Sequence, residues 1–207
     1  MHAPRTSSMT DIRNVCVYCG SGSGSHPIFA DTARQFGTLL AKENVGLVYG
    51  GGSIGLMGEV AMATAENGGR VIGVIPEFLM SREHAARLGE MIVTRDMHER
   101  KRIMFERADA FVALPGGIGT LEELVEQLTW AQLGQHKKPI LLFNVTGFWN
   151  PLCVLLDHMT ETAFIRGDLT VNYLTEDRVE RILPRLREAA AAVSEDEKAM
   201  KVPLDRT

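Results

Sequence analysis

The chain is short of several residue types, and each shortage excludes a class of protein. Three cysteines in 207 residues are too few for a disulfide-stapled secreted scaffold. No uninterrupted apolar run reaches the roughly 18 residues that a membrane-spanning helix needs. The 22 Lys and Arg against 26 Asp and Glu leave a net charge of −4, so the basic excess of many nucleic-acid-binding proteins is missing. We therefore expect neither nucleic-acid nor membrane partners.

The two ends of the chain lack apolar periodicity. The first 13 residues contain no apolar stretch of the kind found in a secretory signal peptide, which predicts a cytoplasmic location. Residues 1–13 and 194–207 are polar and aperiodic, so we expect both to be disordered. Between them, 14–193 is long enough for a single domain whose folding buries about 70% of the surface of the chain.

Two of the cysteines, Cys16 and Cys19, stand three residues apart. A Cys-x-x-Cys pair occurs in redox and zinc sites, but this one lies within the apolar run NVCVYC. No second cysteine pair or histidine pair completes a set of metal ligands. We interpret both residues as buried thiols and predict no metal site.

Short apolar runs alternate with longer segments of helical periodicity. The predicted strands are 14–19, 45–49, 70–75, 90–94, 110–114, 139–144 and 170–174. The predicted helices are 26–43, 56–67, 96–108, 120–133, 148–163 and 176–193, and Pro184 is expected to kink or divide the last one. Runs such as VGLVYG are apolar throughout, as in strands buried on both faces. The pattern predicts an α/β fold, a doubly wound parallel sheet of about seven strands with helices on both faces.

What the chain does have is 20 glycines, clustered where predicted strands give way to helices. The clusters are YCGSGSGSHP, YGGGSIGLMG and LPGGIGTLEE. In a parallel sheet such turns meet at the carboxyl edge, where ligands bind. Backbone N–H groups and helix N-termini at that edge favour a phosphate or another anion. The glycines therefore predict an anion-binding cleft.

One glycine cluster fits a dinucleotide fingerprint. Gly50, Gly52 and Gly55 match G-x-G-x-x-G, and Glu77 falls about where a ribose-binding acid would lie. The fingerprint usually belongs to the first strand-to-helix turn, whereas this cluster follows the second strand. An NAD(P)-binding enzyme or a non-catalytic nucleotide sensor therefore remains an alternative. No glycine run is followed by the Lys-Ser or Lys-Thr of a P-loop.

Two predicted helices, 96–108 and 120–133, carry charged residues that bear on a binding or catalytic site. Arg100 lies in the middle of the apolar face of its helix, with Lys101 beside it, so each needs a buried acid or an anionic ligand unless its side chain snorkels to solvent. The spacing of Glu123 from Thr120 fits a capping box. Alternatively, Glu123 places a carboxylate at the anion-binding turn. The apolar arc of its helix is formed by Leu121, Leu124, Val125, Leu128 and Ala131, and the opposite side by Glu123, Glu126 and Trp130.

Together these motifs resemble those of a known protein family. PGGIGTLEE matches the signature P-G-G-x-G-T-x-x-E, and MHERK matches its companion M-x-x-R-K. With YCGSGSG and VYGGGSIGLMG, the chain resembles the LONELY GUY (LOG) family of cytokinin riboside 5′-monophosphate phosphoribohydrolases over residues 15–193. Members have often been labelled lysine decarboxylases, but no lysine here stands in a context that marks a pyridoxal-phosphate Schiff base.

The resemblance implies a Rossmann-like homodimer that hydrolyses the N-glycosidic bond of N6-modified adenosine 5′-monophosphates or AMP. The products would be the free base and ribose 5-phosphate, with no cofactor or metal. The implied catalytic pair is Arg100 and Glu123. The implied substrate-binding residues are Glu83, Lys101, Gly117, Ile118, Gly119, Thr120 and Thr129. Further nucleotide contacts are expected at Ser21, Gly51, Gly52, Met97 and Gly116.

The residues and the resemblance agree on one mechanism as a hypothesis. Glu123 would stabilise an oxocarbenium-like transition state and activate water, while the turn 117–120 holds the 5′-phosphate. Arg100 would orient Glu123 or assist the departing base, and the sequence does not choose between the two roles. Trp130, opposite the apolar arc, is expected to be covered by a partner chain, by the base, or by another part of the same chain.

Overall fold

The chain folds around one parallel β-sheet. In this computed structural model the described residues are 11–80, 88–166 and 170–201, with side chains described as far as Ser194. The strands in these ranges are β1 (Asn14–Tyr18), β2 (Gly46–Tyr49), β3 (Val71–Pro76), β4 (Glu90–Thr94), β5 (Ala110–Ala113), β6 (Ile140–Phe143) and β7 (Leu174–Glu176). The α-helices are α1 (Pro27–Lys42), α2 (Gly55–Glu66), α3 (Met97–Arg107), α4 (Ile118–Gln132), α5 (Asn150–Glu161) and α6 (Val179–Lys201). Two 3₁₀ turns, Glu77–Leu79 and Val145–Gly147, follow β3 and β6.

The order of these strands across the sheet is β4-β3-β2-β1-β5-β6-β7, and every neighbouring pair is parallel. The chain starts in the middle of the sheet and builds outward to β4. It then returns through α3 and builds outward on the other side. The order reverses between β1 and β5, where Val15 pairs with Ala110. In doubly wound sheets such a switch point opens a crevice at the carboxyl ends of the strands. The predicted fold class is confirmed.

Two apolar clusters attach the helices to the two faces of the sheet. On one face α1, α2 and α6 contribute Phe36, Val60 and Leu183. On the other face α3 and α4 contribute Met104 and Leu124, and α5 packs there through half-buried side chains. The central strands are buried on both faces, which explains why their sequences are apolar throughout rather than alternating.

The two neighbouring cysteines lie on opposite faces of the sheet. Cys16 belongs to the cluster under α3 and α4, and Cys19 to the cluster under α1 and α2. Both are buried thiols outside any disulfide, and burial raises the pKa of the Cys16 thiol. The prediction of buried thiols is confirmed, and their placement excludes a disulfide between them.

The last strand and helix differ most from the expected positions. β7 lies at Leu174–Glu176 rather than at 170–174. Pro184 lies inside α6 and does not divide it. Its neighbours Ile182 and Leu183 are fully buried, so packing against the sheet holds the helix together where the proline removes a backbone donor.

α6 also runs further than expected. It continues to Lys201, eight residues into the segment 194–207 that we expected to be disordered, while 1–10 and 202–207 lie outside the described residues. Within the described ranges, no helix combines the length and the apolar character that crossing a membrane requires.

Candidate active site

A cleft of about 410 Å³ opens at the switch point between β1 and β5. Its walls come from the loop after β1, the residue after β2, α3 and the first turns of α4. A second cavity of about 290 Å³ adjoins it, and the two share Gly20, Ser21 and Gly117. Glycine-rich turns therefore line the carboxyl edge of the sheet, where the sequence predicts a ligand.

Arg100 points from α3 into this cleft. Asp96 begins the helix by accepting a hydrogen bond from the Glu99 backbone at 2.8 Å. One turn later the Arg100 side chain is only 7% exposed. Its Nη1 donates to Oε1 of Glu123 at 2.5 Å, and its Nε donates to the Val74 carbonyl at 3.0 Å. The inward placement predicted for Arg100 is confirmed, and a buried acid is its partner.

Glu123 does not form the capping box that its spacing suggests. α4 begins with Gly117 as N-cap and without any side-chain cap, so Thr120 is the third helical residue rather than the cap. This earlier start leaves Glu123 too far along the helix to reach the N-cap backbone. The Glu123 side chain, 10% exposed, meets Arg100 instead. The capping interpretation is therefore wrong.

The N-terminus of α4 is open, unlike the other helix N-termini around the cleft. At α1 the ring of His26 accepts from the Ile28 backbone at 3.1 Å. At α2 the Met57 N–H donates to the Gly20 carbonyl at 3.3 Å. The first residues of α4 are exposed, Ile118 at 82%. Uncapped N–H groups and the helix dipole make this end of α4 the anion site that the geometry favours.

Two glycines of the second cluster, Gly51 and Gly55, pack against other segments of the chain rather than opening onto a ligand. Gly55 has a φ of +58°, and a β-carbon there would lie 2.3 Å from the Ser21 carbonyl group. Gly51 has a φ of +80°, and its β-carbon would meet Ile75 at 3.0 Å. These glycines serve backbone conformation and close approach, which removes the main support for a dinucleotide fingerprint.

The expected nucleotide contacts separate into two groups. Ser21 and Met97 line the larger cleft, together with Gly117, Ile118, Gly119 and Thr120. Gly116 lines the adjoining cavity, where its lack of a side chain admits the Thr120 hydroxyl. Gly51 and Gly52 are buried and lie outside the lining of both cavities.

Lys101 lies behind the cleft wall. Its Nζ is 2.6 Å from Oε1 of Glu122 and 2.9 Å from Oε1 of Glu126. Burial lowers the pKa of Lys101, but the two carboxylates outweigh burial and the pKa is raised overall. Glu122 lines the cleft, whereas Lys101 does not, so Lys101 reaches the cleft only through its partner.

Of the two remaining expected contacts, one is not brought to the cleft and the other lies outside the described residues. Thr129 is exposed and donates to the Val125 carbonyl at 2.7 Å, about 9 Å further along α4 than Glu123. Glu83 lies in 81–87, outside the described residues. Val125, expected in the apolar arc, is 42% exposed, while Gln127 is fully buried. The inward face of α4 is thus turned toward α3, where Arg100 lies.

Seven residues that line the cleft are not among the predicted site residues: Val17, Cys19, Gly20, Gly50, Met57, Leu79 and Glu122. Met57 and Leu79, with Met97, give the cleft an apolar side. The sequence signal for Met57 and Leu79 is that each lies in the segment that follows a predicted strand. Each follows a carboxyl end that reaches the same edge of the sheet.

The wall behind the ion pair is apolar or neutral. Tyr18 is buried, which raises the pKa of its hydroxyl, and the nearby Cys16 and Glu123 add to the effect. The Trp130 ring contacts Phe105 of α3 edge-on, with ring centroids 5.2 Å apart. Part of the same chain therefore covers this tryptophan.

Among the described residues, no three His, Cys, Asp or Glu side chains are grouped as a metal ion would require.

The fold and the site define a Rossmann-like α/β protein with an open helix N-terminus and a buried Arg–Glu pair at its switch point. A family model described as "Possible lysine decarboxylase" matches residues 57–186. The chain is 52% identical over 157 residues to the cytokinin riboside 5′-monophosphate phosphoribohydrolase LOG of Oryza sativa subsp. japonica, covering 75% of this chain and 65% of that protein. It is 50% identical over 154 residues to LOG7 of Arabidopsis thaliana, covering 74% and 71%. The chain belongs to the LOG family.

Solved structures support the fold alone. The molybdenum cofactor carrier protein of Chlamydomonas reinhardtii superposes with a TM-score of 0.65 at 21% identity, over 86% of this chain and 98% of that protein. At this identity the likeness extends to the arrangement of strands and helices. The chain spans just under two thirds of the length of the rice relative.

Proposed function

We propose that the chain hydrolyses the N-glycosidic bond of adenosine 5′-monophosphates, preferably N6-modified ones, and releases the free base and ribose 5-phosphate. One observation carries the proposal: the buried Arg100–Glu123 pair lies beside the open N-terminus of α4, in one cleft. Relatives about 50% identical are named for this reaction on cytokinin riboside 5′-monophosphates.

The open end of α4 would bind the 5′-phosphate. Backbone N–H groups at Ile118 and Gly119 and the helix dipole favour an anion there. Gly117 and Gly119 have no atom within 4 Å of the place where a β-carbon would lie, so there is room for a phosphate against the backbone. Binding at this point would fix the ribose relative to Glu123, which lies one turn further into the helix.

Glu123 would act on the anomeric carbon. Cleavage of the glycosidic bond builds positive charge on the ribose ring, and a carboxylate nearby stabilises it. The same carboxylate would accept a proton from the water whose oxygen forms the new bond to C1′. Arg100 holds Oε1 of Glu123 at 2.5 Å, which supports an orienting role for the arginine.

The apolar side of the cleft would take the base. Met57, Leu79 and Met97 line it, and thioether and aliphatic groups suit the flat face of a purine and an apolar N6-substituent. Lysine decarboxylation has less support, since Lys101 is held between two carboxylates rather than placed in the cleft.

A homodimer and a cytoplasmic location belong to the same proposal. None of the described residues of α5 is buried, and Val154 and Leu155 are 66% and 47% exposed. On α4, Val125 is 42% exposed, and a second copy would cover such exposed apolar side chains. Thr129, exposed on the same helix, would then contribute at the interface between copies. The mass in solution tests the dimer, and Val154→Glu should weaken it.

A nucleotide panel with product identification tests the function. The protein would be given AMP, isopentenyladenosine monophosphate and NAD, and bases and sugar phosphates would be separated and quantified. We expect equal amounts of base and ribose 5-phosphate from the two monophosphates and none from NAD. Binding of AMP without products would support a sensor instead, and thermal stabilisation by NAD alone would support a dinucleotide enzyme.

A further inference from the structure

Gly50, the residue directly after β2, lies against the guanidinium group of Arg100. A β-carbon added to Gly50 would be 2.3 Å from Nη2 of Arg100 and 3.0 Å from Sδ of Met57. Real β-carbons essentially never come within 3.0 Å of such an atom. The missing side chain of Gly50 is therefore what leaves room for the guanidinium.

Hydrogen bonds hold the Arg100 guanidinium through its other two nitrogens, Nε and Nη1. Nε donates to the Val74 carbonyl at 3.0 Å, and Nη1 donates to Glu123 at 2.5 Å, both in buried surroundings. Because the group is planar and rigid, fixing two nitrogens also fixes the third. Any push on Nη2 must therefore lengthen the bond to Val74 or the bond to Glu123.

Backbone conformation does not explain the glycine at this position. Gly51 and Gly55 have φ values of +80° and +58°, which disfavour other residues. Gly50 is not among the glycines with positive φ. The atoms that its β-carbon would meet belong to side chains and not to the backbone, so an alanine at position 50 is compatible with the fold and conflicts only with Arg100 and Met57.

We propose that Gly50 is a positioning residue for the Arg100–Glu123 pair. By carrying no β-carbon it sets where the guanidinium lies and, through Nη1, where the Glu123 carboxylate is held over the cleft. The inference rests on the proposed hydrolase function. It gives the first glycine of the G-x-G-x-x-G pattern a role toward an arginine rather than toward a dinucleotide.

Gly46 offers a matched control on the same strand. It begins β2, at the opposite end from the cleft, and a β-carbon there would lie 2.3 Å from Oδ1 of Asn14. We expect Gly50→Ala to lower kcat about 100-fold with KM changed less than about threefold. Gly46→Ala should keep kcat within about twofold, and both variants should melt within about 4 °C of the parent. Parental kcat in Gly50→Ala, or equal kcat losses in the two variants, would overturn the proposal.

A double-mutant cycle with Arg100→Lys separates positioning from general damage. Lysine has no Nη2, so Gly50→Ala should lower kcat less than about threefold on that background, against about 100-fold on the parent. An undiminished loss on the Arg100→Lys background would contradict a role through Nη2.

Melting temperatures provide a readout that does not depend on activity. Gly50→Ala should lower the melting temperature by about 3 °C in the parent and by less than about 1 °C in Arg100→Lys. If the parent cleaves no nucleotide, the proposed function fails, but this thermal cycle still decides the contact. Equal melting shifts on both backgrounds would overturn the proposed contact with Arg100.

Discussion

Two neighbouring cations of α3 make ion pairs with α4: Arg100 forms the first pair, with Glu123, and Lys101 forms the second, shared between Glu122 and Glu126. Arg100 meets Glu123 where both side chains are a tenth exposed or less. Lys101 meets Glu126 and Glu122, and the latter is 52% exposed. One step along a helix turns the side chain by about 100°, so Arg100 faces the cleft, whereas Lys101 lies behind the cleft wall and reaches the cleft only through Glu122. The same kind of charge pairing can therefore serve chemistry in one case and attachment of two helices in the other.

Removing the cation of the first pair should have the largest effect. Arg100→Met leaves the buried Glu123 carboxylate without its guanidinium, which we expect to cost about 3 kcal/mol of unfolding free energy. Base release should fall about 1,000-fold, because the carboxylate is no longer oriented. Urea unfolding and a base-release assay measure the two effects. A loss no larger than that of Lys101→Met would erase the distinction between the pairs.

Binding of the 5′-phosphate should position the substrate beside Arg100 and Glu123. Adenosine lacks the anion that the open end of α4 favours, so kcat/KM for adenosine should be at least about 100-fold below that for AMP. Steady-state rates of adenine release from the two compounds check this. Similar values would mean that the N-terminus of α4 does not hold the phosphate.

Breaking the second pair should act on binding more than on chemistry. In Lys101→Met the carboxylate of Glu122, which lines the cleft, loses its cation and repels the substrate phosphate. We expect KM for AMP to rise up to about tenfold while kcat stays within about threefold. A collapse of kcat to the level of Arg100→Met would place Lys101 with the catalytic pair after all.

The second pair should also give the smallest effect, a stability difference that disappears at high pH. The pKa of Lys101 is raised in the folded chain above its ordinary value of 10.5, so the folded state holds the proton more tightly than the unfolded state. The stabilisation is therefore complete below pH 10.5 and is lost as the pH rises through the folded pKa. The unfolding free energies of parent and Lys101→Met should differ by about 1 kcal/mol at pH 8 and converge above pH 10.5. A constant difference up to pH 11 would contradict this.

The sheet and the inward turn of Arg100 could be predicted from the sequence because they depend on local periodicity. Apolar runs and glycine turns locate the strands, and a charged residue within an apolar helical face implies a buried partner. The partner itself and its distance could not be predicted. Glu123 is 23 residues away, and its local sequence favours a capping box with Thr120.

Other parts of the site depend on contacts between distant segments. The spacing of Gly50 fits a dinucleotide fingerprint, but in the fold Gly50 lies against Arg100 of α3. The family resemblance implies Lys101 as a substrate-binding residue through the motif M-x-x-R-K, whereas helix geometry turns it toward Glu122 and Glu126. Two residues that are adjacent in a sequence motif can therefore lie on opposite sides of the cleft wall.

The most direct measurement compares two isosteric substitutions on α4. Glu123→Gln and Glu126→Gln each remove one negative charge and keep the side-chain volume, at the first and the second ion pair respectively. The rate of adenine release from AMP would be measured for both, with circular dichroism to verify folding. We expect a loss of about 1,000-fold in Glu123→Gln and less than about threefold in Glu126→Gln. A folded Glu123→Gln that releases adenine as fast as Glu126→Gln would contradict it.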